Sequence, residues 1–300
     1  MQSNQKSLFA IGLFFIPLLV LSIIFYKERT FAFDAAYQIF DLIQTGEFAI
    51  QGTRFGAAFL QLPSLVLIRF GQPLSTIGVV YSMSAILLPA VLSLFIWRLK
   101  QNQLVYVALL FPLIFFGHSF YWAHSELLQS CYWTLLTMSL ISSKIHSIFK
   151  WILISLGLSI TIFLHPISPL LVIYALIFLY LQNLINLRAA LCVFLLTAVL
   201  IIFRHLVFPT MTYDANIYAR LDTLFDKFWL FFSYKSSKQF RSECLGSYWL
   251  YPLCILGIVQ HFIRNRQYLK LTFVFLPVFA LLFTVHSMFR WALPLFQMEN

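Results

Sequence analysis

Long runs of apolar residues constrain the fold of this chain more than any other feature. The first run, residues 8–26, holds no charged side chain and has nearly the length of about 20 residues that a helix needs to cross a bilayer. Of the 300 residues, 61% are hydrophobic and 10% are charged, whereas soluble domains carry about 25% charged residues. Because a backbone in lipid must satisfy its own hydrogen bonds, these runs predict an all-α integral membrane protein.

Further apolar runs predict a polytopic helical bundle of about nine transmembrane helices in a single domain, residues 1–300. They lie at about 74–97, 104–117, 127–143, 151–164, 170–181, 189–203, 248–263 and 271–287. Lys27, Glu28 and Arg29 follow the first run where a signal peptide would carry small residues, so this run is predicted to be a retained span. The shorter run 57–68 contains Pro63 and is expected to lie in the interface without crossing.

The placement of charges predicts which side of the membrane each connection occupies. With a cytoplasmic amino terminus, every Asp and Glu falls outside, and the inner connections carry only basic residues. These are Lys6, Arg98, Lys100, Lys144, Lys150, Arg188, Arg264, Arg266 and Lys270. This pattern follows the positive-inside rule, and the expected location is an inner membrane of bacterial type. The surplus of 20 Lys and Arg over 10 Asp and Glu is attributed to topology, so membrane lipid is an expected partner and nucleic acid is not.

The first extracytoplasmic loop, residues 27–73, is predicted to contain juxtamembrane helices, and the most informative of them spans 33–46. One stripe of that helix is apolar and the other is polar. The apolar stripe is Phe33, Tyr37, Phe40 and Ile43, and the polar stripe is Asp34, Gln38, Asp41 and Thr45. Such a helix lies in the interface with its polar stripe facing a water-filled cleft, and Gly46 is expected to cap its C-terminus. Asp34 is then held at the membrane surface; alternatively, it is only the N-cap of this helix.

A second outer segment brings His118, His124 and Glu126 to the start of a predicted span. Imidazoles and carboxylates are residues that bind a metal or relay protons. The alternative is a polar helix start in which Ser125 or His124 caps the helix and Glu126 interacts with its positive end.

Two other outer segments contain candidate residues. His165 lies beside Pro166 and Pro169, where a packed or capping histidine is more common than a catalytic one. The loop 204–247 begins at Arg204 and is basic and aromatic. It is predicted either to bind an anionic headgroup or to rest on anionic lipid.

The order of these features resembles the GT-C superfamily of membrane glycosyltransferases, which includes protein O-mannosyltransferases and the lipid A aminoarabinose transferase. The resemblance is carried by short motifs in a constant order. They are Asp34-x-x-Tyr37 with Gly46, Arg54-Phe-Gly, Leu62-Pro63, Arg69-Phe70-Gly71, Ser125-Glu126-Leu-Leu and Phe289-Arg290-Trp-Ala-Leu-Pro294. The resemblance implies transfer of a sugar from a polyprenyl-phosphate donor to an extracytoplasmic glycan, lipid or protein, by an inverting mechanism.

The resemblance also implies roles for individual residues. Asp34 matches the carboxylate that takes the acceptor proton or holds a metal that does so, and Glu126 matches a second acidic site. Arg290 is the expected cation for the phosphate leaving group, with Arg204 as a weaker candidate. The expected substrate-binding residues also include Tyr37, Asp41, Arg54, His118, His124 and His165. The only cofactor implied is a divalent cation, and Ala35 stands where the family often has a second acid.

Two other classes of function are compatible with this sequence. One is a flippase for lipid-linked sugars, and the other is a non-catalytic component of envelope polysaccharide assembly. The flippase is disfavoured because the sequence shows no acid or base in the middle of a span, where transport sites are usually found.

Overall fold

The computed structural model describes residues 2–31, 33–115, 125–143, 145, 148–208, 242 and 250–272. Within these ranges the chain forms helices and turns and no strand, so the all-α prediction is confirmed for the described part. The chain divides into two compact units, Met1–Thr210 and Met211–Asn300.

The first unit contains ten helices within the described ranges. They are α1 (Gln2–Ile24), α2 (Tyr26–Thr30), α3 (Phe33–Thr45), α4 (Ala58–Arg69), α5 (Leu74–Arg98), α6 (Asn102–Phe115), α7 (Glu126–Ser142), α8 (Ile148–Ile162), α9 (Ser168–Leu181) and α10 (Leu187–Val207). A 3₁₀ turn, Phe55–Ala57, precedes α4. In the second unit the described residues include α11 (Leu250–Arg264).

Three described helices are long and apolar enough to cross a membrane, namely Asn4–Ile24 of α1, Leu74–Arg98 and Leu187–Val207. The described helices at five other predicted spans are shorter, with 14 residues in α6 and α9, 15 in α8 and α11, and 17 in α7. Helices α7 and α9 have described residues at both ends, and at 1.5 Å per residue they are about 21–26 Å long, less than the hydrocarbon thickness of about 30 Å. Helices α6, α8 and α11 border residues outside the described ranges. The structure thus supports a helical membrane protein, and the number of nine spans stays a prediction. The last predicted span, 271–287, lies almost wholly outside the described residues.

Helix α7 is at the centre of the first unit and packs against α5, α6, α8 and α9. Four of its hydroxyl side chains donate to carbonyls of the preceding turn, namely Ser130, Thr134, Thr137 and Ser139. Small residues that satisfy themselves in this way let neighbouring helices approach closely without leaving a polar group unpaired. The close approach is tightest at Gly157 of α8, where an added Cβ would overlap Thr137 Oγ1.

The helix ends that the topology predicts to be cytoplasmic lie together in the structure. Trp97 Nε1 near the end of α5 donates to Asn4 O near the start of α1, at 2.8 Å. Lys150 Nζ at the start of α8 donates to Ile141 O and Ser143 O at the end of α7, at 3.0 and 2.8 Å. These contacts define one end of the unit, which we call the basic end. The opposite end, formed by the last residues of α1, α8 and α10, the first residues of α5 and α7, and residues 46–57, is called the polar end.

The contact between Gly157 and Thr137 yields a test of the packing around α7. Gly157→Ala should lower the free energy of unfolding by about 1–3 kcal/mol, because the β-branched Thr137 has little rotameric freedom to move aside. The measurement is the thermal midpoint of the purified protein in detergent. Gly12→Ala is the matched control, because its new Cβ would meet only Ile16 Cδ1 at 3.8 Å. Adding Thr137→Ala should restore much of the loss in Gly157→Ala; equal midpoints for Gly157→Ala and Gly12→Ala would contradict the packing.

Candidate functional site

The Arg54-Phe-Gly motif forms a turn that docks against the end of α8. Gly56 N donates to Phe163 O at 3.1 Å, and a Cβ at Gly56 would come within 2.5 Å of Leu164 Cγ. Only glycine permits this approach without displacing the neighbouring chain. The docking explains why glycine follows Arg54 and Phe55 at this position, and it sets the direction in which the Arg54 side chain leaves the turn.

Arg204 lies in the last turn of α10, whereas the sequence analysis placed it at the start of a loop. Its Nη1 donates to Ile162 O at 2.6 Å, and its Nε donates to Thr53 Oγ1 at 2.9 Å. The guanidinium is 5.9 Å from the centre of the Phe163 ring, and the side chain is 8% exposed. A cation at a helix C-terminus satisfies an unpaired carbonyl and interacts favourably with the dipole. Arg204 therefore joins α10, the end of α8 and the residue before Arg54.

Arg54 and Glu126 form an ion pair at the start of α7. Arg54 Nη1 lies 2.6 Å from Glu126 Oε2, and the two side chains are 18% and 8% exposed. Ser125 is the N-cap of α7, and its Oγ accepts from Leu128 N at 3.2 Å, which confirms the predicted polar helix start. Glu126 in the first turn is stabilised both by the helix dipole and by Arg54. Two residues that the sequence analysis proposed separately for substrate binding and catalysis are thus partners.

Helix α3 confirms the predicted helix over 33–46. Besides the predicted apolar and polar stripes, it has a buried face that was not predicted. Gly46 follows its last residue with a φ of 68°, as a left-handed C-cap requires. Tyr37 and Phe40 are 56% and 64% exposed, which fits the predicted apolar stripe. Gln38, however, was expected to face water and is only 2% exposed. The reason is that Gln38 shares its face with small and aliphatic residues, Ala35, Ile39 and Leu42, which pack against neighbouring helices.

A network of buried amides fixes α3 to α4, α5 and residue 49. Gln38 Oε1 accepts from Tyr81 Oη at 2.9 Å and from Gln61 Nε2 at 3.3 Å. The Gln61 amide also bonds both backbone groups of Ala49, with Ala49 N donating to its Oε1 at 2.8 Å and its Nε2 donating to Ala49 O at 3.0 Å. Buried polar networks of this kind rigidify a structure when each member is satisfied. The network holds the first turn of α3, which carries Asp34, at the polar end.

Asp34 is exposed on this fixed helix. It is the second residue of α3 and makes no ion pair or hydrogen bond with other described residues, so the structure does not support the alternative in which it is only an N-cap. Helix α3 contacts α5 through Gln38 and Tyr81, and α5 packs against α7, whose first residue is Glu126. The two acids that the resemblance singles out therefore lie on helices that both contact α5, with Asp34 accessible and Glu126 nearly buried.

Among the remaining candidate residues, Asp41 and His165 take part in local hydrogen bonds. Asp41 is half-buried on α3, and its carbonyl accepts from Thr45 Oγ1 at 2.8 Å. His165 Nδ1 accepts from Ile167 N at 3.2 Å, so it helps to form the turn before α9. His118, His124 and Arg290 lie outside the described residues.

Arg29 is a buried cation that the sequence analysis did not select. It is 0% exposed, and its Nε donates to Ser82 Oγ at 2.8 Å, while Ser82 Oγ donates to Ser22 O at 2.7 Å. Burial lowers the pKa of Arg29 to about 10, so it is still charged at neutral pH. In the sequence it served only as part of the argument against a signal peptide, and no local pattern distinguishes it from Lys27.

The described residues contain no group of three His, Cys, Asp or Glu side chains that could hold a metal ion. The expectation of a divalent cation stays a prediction.

No protein family model, curated protein or solved structure matches the chain. The resemblance to the GT-C superfamily thus rests on the order of the motifs, and it stays a prediction.

The ion pair at the start of α7 can be tested with a double-mutant cycle. Arg54→Met or Glu126→Gln alone should each lower the free energy of unfolding by about 3 kcal/mol, because the other charge loses its partner in a nearly buried site. The double variant should lose clearly less than the sum of the two. Arg69→Met, which removes an exposed arginine at the end of α4, is the control and should change the thermal midpoint little. Additive losses in the double variant would contradict the pairing.

Proposed function

We propose that this chain is a membrane glycosyltransferase that moves a sugar from a polyprenyl-phosphate donor to an extracytoplasmic acceptor. The observation that supports the proposal best is the convergence at the polar end. Arg54 from the docked turn pairs with Glu126 of α7, and Asp34 lies on α3, which is bonded through Gln38 to Tyr81 of α5, the helix that packs against α7. A lipid-linked sugar arriving through the bilayer presents its phosphate and sugar at such a membrane boundary.

The chemistry needs a base for the acceptor hydroxyl and a cation for the leaving phosphate. In an inverting transfer the acceptor oxygen attacks the anomeric carbon as the bond to the phosphate oxygen breaks, and the acceptor proton passes to a base. Asp34 is suited to be that base, because its carboxylate is exposed and forms no ion pair with other described residues. The negative charge that develops on the phosphate is stabilised by a guanidinium, whose planar donors match phosphate oxygens.

Glu126 has a different role from Asp34 in this proposal. A carboxylate already bound to Arg54 at 2.6 Å is a poor base, but it orients the guanidinium that receives the phosphate. Arg204 in turn has Nε and Nη1 bonded to protein oxygens, so we assign it the role of holding Thr53 and the Arg54 turn. Arg290 remains the second candidate for the phosphate.

Asp34→Asn tests the assignment of the base. The asparagine is nearly isosteric but cannot take a proton, so the rate of sugar release from polyprenyl-phosphate sugars should fall at least about 100-fold. The assay measures polyprenyl phosphate formed by the purified protein in the presence of membrane extract as the source of acceptor. Glu47→Gln, an exposed acid of the same loop with no assigned role, is the matched control and should keep the wild-type rate.

Two results would contradict the proposal. Wild-type release in the Asp34→Asn variant would remove Asp34 from the mechanism. A wild-type protein that moves lipid-linked sugars across vesicle membranes without cleaving them would instead indicate a flippase.

A further inference from the structure

Three side chains of α7 contain buried polar atoms without a hydrogen-bond partner among the described residues: Gln129 and Trp133 in its first half, and Ser142 at its last residue. Gln129 is 3% exposed, and neither its Oε1 nor its Nε2 has a partner. The Nε1 of Trp133 is likewise buried and unpaired. A buried amide that makes no hydrogen bond loses its interactions with water and gains nothing in return, so such groups are rare in folded proteins.

A buried glutamine and a tryptophan elsewhere in the unit show how an amide and an indole are satisfied in a purely structural role, although Asn4 Oδ1 and Ser168 Oγ are also buried without a partner among the described residues. Gln61 is fully buried, and both of its amide atoms are bonded. Trp97, at the basic end, donates its Nε1 to Asn4 O. Thr134 and Ser139 of α7 donate to carbonyls of their own helix. Gln129 and Trp133 therefore differ from chemically identical side chains elsewhere in the same unit.

Gln129 and Trp133 lie next to the charged pair on the surface of α7. Glu126, Gln129 and Trp133 are spaced at i, i+3 and i+7, which places them along one stripe of a helix. The stripe begins at the Arg54–Glu126 ion pair and ends at Trp133, whose ring centre is 5.4 Å from that of Phe59. Phe59 is 45% exposed, so the stripe reaches the surface at its aromatic end.

The chemistry of this stripe matches a neutral ligand rich in hydroxyl groups. A hydroxyl both donates and accepts, and so satisfies the Gln129 oxygen as well as the Gln129 and Trp133 N–H groups. An anion is a poorer match, because Gln129 and Trp133 carry no charge and Arg54, the cation at the start of the stripe, is already paired with Glu126. The apolar face of a sugar ring also packs well against an aromatic side chain such as Phe59 or Trp133.

We infer that the α7 stripe is a subsite for the sugar ring of the lipid-linked substrate, next to the cation that binds its phosphate. The inference rests on the proposed function. In the bound state the Gln129 amide and the Trp133 indole exchange hydrogen bonds with sugar hydroxyls, and the ring packs on the aromatic end of the stripe. The unpaired groups are thus reserved for the ligand, at a cost to the stability of the unliganded protein.

The test compares binding of two kinds of lipid to purified protein in nanodiscs. One probe is undecaprenyl phosphate; the others are the same lipid carrying a glucosyl, N-acetylglucosaminyl or aminoarabinosyl group. The ratio of the two dissociation constants measures what the sugar contributes. Gln129→Leu and Trp133→Phe should each reduce this ratio about tenfold for the preferred sugar, because each removes hydrogen bonds to it. Binding of the bare lipid phosphate should not change.

The thermal midpoints of the unliganded variants provide a second measurement. If Gln129 had a purely structural role, Gln129→Leu would lower the midpoint. Gln129→Leu should have a midpoint no lower than wild type, because it removes unpaired polar atoms. The matched control is Trp97→Phe at the basic end, which breaks the bond to Asn4 O and should lower the midpoint without changing the sugar ratio.

The outcomes separate the inference from the proposed function. A wild-type protein that binds undecaprenyl phosphate but gains nothing from any of the sugars would overturn the subsite and leave the function standing. The same holds if both α7 variants keep the wild-type ratio. A protein that binds none of these lipids would overturn both.

Discussion

The ion pair between Arg54 and Glu126 is the interaction on which the polar end depends. Residues 46–54 form no regular helix, so side chains from elsewhere must hold them in place. Gln61 bonds Ala49, and Arg204 bonds Thr53, but the Arg54 ion pair is the contact that fixes this segment to the central helix α7. Only 10% of the residues in this chain are charged. Two of them pair at the start of α7, and this pair brings the polar segment 46–54 to the central helix.

The local features of this polar end could be predicted from the sequence, and the partnerships could not. Hydropathy and helical period correctly predicted the helix that carries Asp34, its Gly46 cap and the polar start of α7, because each depends on neighbouring residues. The pairing of Arg54 with Glu126 joins positions 72 residues apart, and no local pattern specifies it. Gln38 was expected in water for a similar reason, since its partners Gln61 and Tyr81 lie on other helices. Arg204 was assigned to a loop because a basic residue at the end of an apolar run is usually its boundary.

The two acids of the polar end, Asp34 and Glu126, lie in different environments, and the proposed function depends on this difference. Glu126 is nearly buried and bound to a guanidinium, whereas Asp34 is exposed on a helix fixed by a network of amides. In the proposed function, the charged pair orients a cation for the phosphate and the accessible carboxylate takes the acceptor proton. The unpaired polar groups of α7 extend the same region toward the membrane, where the sugar and the prenyl chain of a lipid-linked substrate would follow the phosphate.

The side of the membrane that the polar end faces is the most direct test of this account. Single cysteines at Glu47, Gln72, Lys100 and Ile145, each exposed in the structure, would be introduced into a chain whose four native cysteines are replaced by alanine. A membrane-impermeant maleimide added to intact cells should label positions 47 and 72, which flank α4, and should reach positions 100 and 145 only after permeabilisation. Labelling of 47 and 72 from opposite sides would show that α4 crosses the membrane. Labelling of 100 and 145 in intact cells would place the basic end outside, and either result would contradict the account.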